Sequence, residues 1–440
     1  MTTIRKNAHP ILGVIVSQFP ELHETFIVRE LRALREAGVA LRIYSLKRCR
    51  DEIVHLESQS LLSQTTYVAW DAPVVWWRAG CEGLRHPWRR VSTLRWVIQF
   101  HRWPPATAAK AVIVWVQAMA MSRLMRRDGV THAHAHWATM PTTAAAVVSR
   151  WLSVPMSFTA HAWDIFVPNA SLKEKVRLAA RVIPCTEYNR RYLSHFCPGD
   201  KRKIVLNYHG VDLETFARST DPAGDGANLP TPLFLSVGRL VDTKGYEVLL
   251  EAYQLLHERG VALRAMIVGH GPLARHLRRR VKQLELSDVV EITPAMPQPA
   301  LRELYARAYA FVLPCVVAKN GDRDGIPNVL LEAMAMGLPV VSTAVSGIPE
   351  AVHDKRDGLV VPAHDPIRLA DALYLLIRKP TWARVLGDHG RMWAETQFDA
   401  REHMARLVTH MNEAIEAYSG LHQAHVSTGV SESSVRAEQA

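Results

Sequence analysis

The stretch that decides the fold is NGDRDGIPNVLLEAMAMGLPVVSTAVSGIPE, Asn320 to Glu350. A short apolar run, AYAFVLP (308–314), comes just before it. Gly325 allows a tight turn, and Pro327 stands where a helix would start, the place that tolerates a missing N–H. The helical pattern stops at Gly337 and a β-branched run, LPVVST (338–343), follows. Gly-Ile-Pro then recurs as Gly347-Ile348-Pro349. Strand, turn, helix and strand in this order are βα units of a parallel sheet. A helix start at the end of a parallel strand collects free N–H groups and partial positive charge, which suits an anion. Two adjacent starts could share one. Asp324 lies before the first helix. Glu332 lies inside it, among Leu330, Leu331, Ala333, Met334 and Ala335. The helix dipole gives an acid no reason to sit there. Its oxygens could accept from paired hydroxyls such as those of a ribose, or it could be a plain surface acid. Glu350 falls in the first turn of the second helix, where the dipole favours a carboxylate and simple capping would explain it.

The same alternation runs outward along the chain. A first series of strand-like runs covers 11–19, 39–46, 154–161, 181–186 and 203–208. A second covers 232–238, 263–269, 289–293, 308–314, 338–343 and 358–362. Helical patterns separate them. Between the series lies RSTDPAGDGANLPTP (218–232), a linker by composition. The expectation is α/β: two doubly wound, Rossmann-like domains facing a central cleft. The boundaries read as 1–217, a linker at 218–232, and 233–398. A helix over 399–420 should return to the first domain, and 421–440 should be a disordered tail.

Composition is that of a globular protein, 48% hydrophobic and 22% charged, with a formal charge of +11. That sign favours anionic partners without choosing among nucleic acid, phosphorylated metabolites and membranes. Five cysteines with no CxxC pair argue against a disulfide framework or zinc knuckle and for a reducing interior. The start MTTIRKNAHPILGVIVSQF lacks a small-residue cleavage site and reads as a first strand rather than a signal peptide. The run AVIVWVQAMAM (111–121) is too short to span a bilayer. Residues 68–127 hold Trp70, Trp76, Trp77, Trp88, Trp96, Trp103 and Trp115, interleaved with arginines. These could pack helices on the first sheet, lie on an anionic bilayer, or form a single-stranded nucleic-acid platform. Nothing else supports the last.

Other motifs sit at strand ends. Arg239 and Lys244 follow the run PLFLSVG and could clamp a diphosphate. Gly269-His-Gly271-Pro-Leu-Ala274 imitates a dinucleotide fingerprint, with Glu291 about twenty residues on. Pro272 at a helix start would explain these glycines without a cofactor. Asp322-Arg323-Asp324 resembles a metal-holding Asp-x-Asp, but no further ligands are apparent. His132, His134 and His136 alternate along a strand, a tract that can also hold metal. His161 ends the run VPMSFTAH and should face the cleft.

Taken in order, GRLVDTKGYEVLLEA, VGHGP, DGIPNVLLEAMAMGLPVVST and SGIPE resemble the retaining GT-B glycosyltransferases of glycosyltransferase family four. SQFPELHETFIVREL, HAHWATMPTTAA, SFTAHAWDIF and NYHGVDLETF are similar to the bacterial exopolysaccharide branch, of the colanic-acid type. The resemblance spans about residues 10–415, apart from the Trp-rich insert. It implies a nucleotide-sugar donor, a UDP- or GDP-sugar, bound mainly by the second domain. Arg239 and Lys244 would hold the diphosphate, Glu332 the ribose, and Asp324 the transferred sugar, one methylene shorter than the family's glutamate. Gly269, Gly325, Ile326, Pro327 and Gly347 would line the donor site. His161 would stand near the sugar and leaving phosphate. Glu24, Thr25 and His136 would lie on the acceptor side. The resemblance further implies no metal or other cofactor, a lipid-linked oligosaccharide acceptor, and a cytoplasmic enzyme held peripherally at the anionic inner membrane, with no nucleic-acid partner. Two rivals remain: a nicotinamide-dependent oxidoreductase built on Gly269–Ala274, and a non-catalytic protein that binds sugar nucleotides or lipid surfaces.

Overall fold

The computed structural model describes residues 10–21, 24–49, 56–101, 104–218 and 231–427. Trp103, most of the linker and the tail from 428 lie outside these. The first sheet comprises β1 (Ile11–Gln18), β2 (Ala40–Lys47), β3 (Thr65–Tyr67), β4 (Val130–His136), β5 (Met156–Ala160) and β6 (Arg181–Pro184). The second comprises β7 (Leu233–Val237), β8 (Arg264–Val268), β9 (Val290–Thr293), β10 (Ala310–Leu313), β11 (Val340–Thr343) and β12 (Leu359–Val361). Every pairing is parallel. The orders are β3-β2-β1-β4-β5-β6 and β12-β11-β10-β7-β8-β9. Both are the same doubly wound order. Each sheet begins at its centre, winds to one edge, crosses back and winds to the other. The crossing leaves a crevice at the carboxyl ends of β1 and β4, and another at those of β7 and β10, where such sheets bind ligands. Helices cover both faces, so the central strands are largely buried; β10 and β11 are wholly so.

The run 203–208 is not a strand. A turn occupies Pro198–Lys203, and only Ile204 bridges to Val182. Val205 N and Asn207 N donate to Val182 O and Pro184 O at 3.0 and 3.1 Å. Pro184 has no N–H to complete the ladder, so pairing stops there. The short β3 was not expected from the sequence.

Residues 68–127 form helices Pro73–Arg85, Pro87–His101 and Pro105–Arg127. The run 111–121 sits inside the last, a 23-residue helix. By length and composition this helix could cross a membrane, a correction to the short-run reading. It is a core helix instead: 67% of its apolar window is buried, and Ala111, Val114, Trp115 and Ala118 join the core that holds β4 and β5. The tryptophans divide. Trp96 is 5% exposed and donates to Glu174 Oε1 at 3.2 Å; buried Trp115 donates to Thr93 Oγ1 at 3.0 Å. Trp88 is 84% exposed, and Trp70, Trp76 and Trp77 are at least half exposed. Glu82 is the one acid in the sequence between Asp71 and Asp128. It is buried, accepting from Trp151 Nε1 at 2.9 Å and pairing with Arg126 at 2.7 Å. The exposed side of the insert is thus aromatic and basic.

The chain returns to the first domain beside Val211, which exchanges backbone hydrogen bonds with Phe398 and Ala400. Helix Ala400–Ser427 then seats Met404, Leu407 and Met411 among Leu12, Phe26 and Ile27. The helix runs past 421, where the sequence reading begins a tail. The segment carries no proline, and Gly420 alone does not stop a helix.

Candidate active site

The second domain supplies the charged wall. Arg239 follows β7 and is exposed; Lys244 ends a short turn, Asp242–Lys244. Gly245, at φ 67°, brings this turn so close to the Pro314 carbonyl that a Cβ would collide with it. That contact joins the loop after β7 to the loop after β10. Across it, Lys244 Nζ bonds Asp324 Oδ1 at 2.8 Å, and the Cys315 thiol lies 3.6 Å from Asp324 Oδ2. Burial pulls the Lys244 ammonium down, but Asp324, with Cys315, outweighs it and leaves its pKa raised. Gly269 has a similar structural cause. A Cβ there would strike the Gly238 carbonyl, so the glycine joins two loops rather than admitting a dinucleotide.

Helix Asn328–Ala335 starts after Pro327, which caps it rather than opening it. Its N-terminus faces the same crevice. Glu332 Oε2 accepts from Tyr305 Oη at 3.1 Å. Burial lifts the Glu332 carboxyl to about 6, while Tyr305 and the Arg29 charge of the first domain hold it down. The second Gly-Ile-Pro opens a helix of only four residues, Ile348–Ala351, too short to offer a comparable anion site.

The first domain supplies an aromatic wall. Its floor is His161, 7% exposed at the end of β5, with neither ring nitrogen hydrogen-bonded among the described residues. Trp137 lies tilted over it at 4.0 Å between centroids; Phe26 lies at 5.1 Å, and His209 stacks on it at 5.2 Å. Burial drives the His161 pKa well below its usual value, and His209, His136 and His134 add to this, so the ring is neutral. His161 is therefore covered by Trp137 and Phe26, where the sequence suggested an open cleft position. His136 is also corrected: at 1% exposure it lies below the surface, 3.7 Å from Glu30, and cannot touch an acceptor. His132 and His134 share Ser157 Oγ at 2.7 and 2.8 Å as buried core groups, and no metal-holding cluster occurs among the described residues. Glu30 accepts from His209 at 2.9 Å. Burial works to raise its carboxyl, but the His209 bond and His136 hold it low.

Glu24 and Thr25 stand at the start of helix Thr25–Glu36, at the rim. Burial, then Glu21, lifts the Glu24 carboxyl to about 8; the Trp137 indole and Arg239 pull the other way. The charge of Arg239 on the second domain is thus felt at the first-domain rim. The support beneath has no local signal in the sequence. Asp164 accepts from Ala138 N at 2.5 Å and His161 N at 2.9 Å. Lys175, wholly buried, donates to the carbonyls of Ala138 and Thr139 at 2.9 and 2.8 Å. Together they fix the turn that holds Trp137 at φ 76°, an uncommon conformation for a bulky residue. Lys175 lies in SLKEKVRL, where its neighbours Lys173 and Arg177 are exposed.

Sequence comparison matches residues 23–215 to the model for Glycosyltransferase Family 4 and residues 231–379 to that for Glycosyl transferases group 1. The chain is 32% identical over 381 residues to the putative colanic acid biosynthesis glycosyltransferase WcaL of Escherichia coli K12, covering 82% of this chain and 89% of that protein. The chain belongs to glycosyltransferase family four. It is a nucleotide-sugar-dependent glycosyltransferase with the GT-B fold, and the oxidoreductase and non-catalytic readings fall away. A shorter match, 35% over 190 residues and 43% of this chain against 45% of the relative, is to the amylovoran biosynthesis glycosyltransferase AmsK of Erwinia amylovora. Among solved structures, Anabaena HepE in complex with UDP superposes at a TM-score of 0.68 with 14% identity, over 92% of this chain and all of that one. At that identity the likeness speaks for the fold. In a glycosyltransferase the two walls have distinct chemical capacities. The second-domain wall can neutralise an anion and grip hydroxyls; the first-domain wall offers aromatic surface and, at Glu24, a carboxyl that stays protonated at neutral pH.

Proposed function

We propose that the protein moves a sugar from a UDP- or GDP-sugar to a lipid-linked glycan, with retention, at the cytoplasmic face of an anionic membrane, in the assembly of a cell-surface polysaccharide. The observation that carries this reading is the Lys244–Asp324 pair at the β7–β10 crevice, with Arg239 on the same loop as Lys244. Arg239 and Lys244 hold the donor diphosphate, beside the loop of Gly269 and the turn Gly325, Ile326, Pro327 and Gly347. Asp324 takes a hydroxyl of the transferred sugar, and its bond to Lys244 ties sugar grip to phosphate grip. Tyr305 occupies Glu332 Oε2, leaving Oε1 for the ribose. Glu24 and Thr25 meet the acceptor.

In the reaction the bond from the anomeric carbon to the donor phosphate breaks. The acceptor oxygen bonds to that carbon on the same face, and its proton leaves with the diphosphate. Negative charge builds on the leaving group, where two cations and a helix N-terminus stabilise it most. Those cations supply the charge a divalent ion would bring, so the reading includes no metal. The exposed tryptophans and arginines of the insert give the enzyme a face for the inner leaflet, since each has an apolar body and a polar end.

The test is a panel of UDP-, GDP- and ADP-sugars, scored by thermal stabilisation and slow donor hydrolysis. One base should stabilise the wild type, and Lys244→Ala should abolish most of that shift. Equal response of the two proteins would remove the clamp.

A further inference from the structure

Glu350 does not serve its own helix. Both of its oxygens cross to the first domain. Oε2 accepts from the backbone N of Glu187 and from Tyr208 Oη, each at 2.8 Å; Oε1 accepts from the backbone N of Tyr188 at 2.7 Å. Glu187 and Tyr188 open helix Glu187–Phe196, whose cap Thr186 accepts from Asn189 N at 3.1 Å. The carboxylate of one domain thus satisfies two free N–H groups at a helix start in the other, with the dipole in its favour. The Tyr208 phenol is held well above its usual pKa by burial and then by this bond, so it donates throughout.

The surroundings are shaped to the contact. A Cβ on Gly347 would come 2.8 Å from Thr186 Cγ2, and one on Gly325 would come 3.1 Å from the same atom. Both Gly-Ile-Pro turns therefore lie against Thr186, and a side chain at Gly347 would force Thr186 or the turn to shift. Arg323 sits 4.3 Å over the Phe166 ring, with its Nη1 3.4 Å from Tyr188 Oη. The chain segment that carries Asp324 and Gly325 is thus pinned to the first domain on both sides.

We propose that Glu350 is a positioning residue that clasps the two domains, setting the Gly-Ile-Pro turns against the domain that carries His161. The clasp is polar and small, three hydrogen bonds around one carboxylate. It can part and re-form as the cleft opens and closes, unlike an apolar interface. Its effect on turnover rests on the donor site proposed above; the clasp itself does not.

The experiment uses the full chain with one spectroscopic label on each domain. Without substrate, Glu350→Ala should broaden and lengthen the interdomain distance distribution. In the assay it should lower kcat roughly tenfold, the scale of a lost charge-assisted hydrogen bond, with a smaller change in donor KM. Glu350→Gln, which keeps one accepting oxygen, should restore part of both. Tyr208→Phe removes one donor of three and should give a mild version of the same shift, which serves if Glu350→Ala does not fold. An unchanged distance distribution in Glu350→Ala or Tyr208→Phe would overturn the clasp, whatever happens to activity. A shifted distribution with native kcat would keep the clasp and remove its role in positioning. Because the distance is read without donor, failure of the donor assignment would leave it intact.

Discussion

The two domains wind their strands in the same order, yet their crevices are built from different chemistry. The β7–β10 side presents Arg239, Lys244, Asp324 and Glu332. The β1–β4 side presents Trp137 and His209, with Phe26 and His161 packed behind them and Glu30 buried beneath. A shared backbone provides the place for a site, and side chains alone decide its ligand. Charge on one wall suits a diphosphate. Aromatic rings and neutral groups on the other suit a sugar rich in hydroxyls, which needs flat contact and hydrogen bonds more than charge.

The largest expected effect strikes the charged wall. Lys244→Ala removes a cation and strands Asp324, so kcat/KM should fall roughly 100-fold, about the upper range for a charge-assisted bond. Steady-state kinetics at saturating acceptor would measure it; a fall of less than threefold would break the contrast between the walls. Next, Trp76, Trp77 and Trp88 changed together to Ala should weaken binding to anionic vesicles by more than about tenfold, from lost apolar contact. Co-sedimentation reads this directly. Trp96→Ala, in contrast, should lower stability by about 3–5 kcal/mol with vesicle binding unchanged in the folded fraction. A weaker effect is expected at Glu332. Its raised carboxyl ionises above about pH 6, so the hydroxyl acceptor is present above that pH and lost as pH falls through it. Donor KM should rise below pH 6, and Glu332→Gln should raise it roughly tenfold at pH 7.5 and flatten the acid limb. The smallest effect belongs to the aromatic wall. Glu24 is protonated below about pH 8 and can then donate to an acceptor oxygen. Acceptor KM should rise about threefold, less than one hydrogen bond, as pH passes 8. Glu24→Gln should remove that rise, and an unchanged alkaline limb would exclude Glu24 from the acceptor site.

The difference between the walls is also a difference in legibility. Asp324, Glu332, Arg239 and Lys244 stand at fixed spacings beside strand ends and glycine turns, so short-range sequence singles them out as candidates. Trp137 could have been suspected from its place directly after a strand of alternating histidines. Lys175 could not. Its burial depends on where helix Leu172–Leu178 lands, and nothing nearby in sequence encodes that. His136 shows the opposite error, a residue adjacent to a site by sequence yet sealed beneath it. The insert shows a third case. Trp88 and Trp96 have similar neighbours, yet one is out and one is in. A helix face takes its meaning from what packs against it.

By itself, the sequence determined the two parallel α/β sheets and singled out Arg239, Lys244, Asp324 and Glu332 as candidates. Both rest on local signals: strand runs, helix starts and Gly-Pro turns. Only the tertiary structure decided how the halves meet. Glu350 reads as a local helix acid, but its oxygens are filled by donors more than 140 positions away. A carboxylate takes the strongest donors within reach, and which donors are within reach is set by the packing of whole domains.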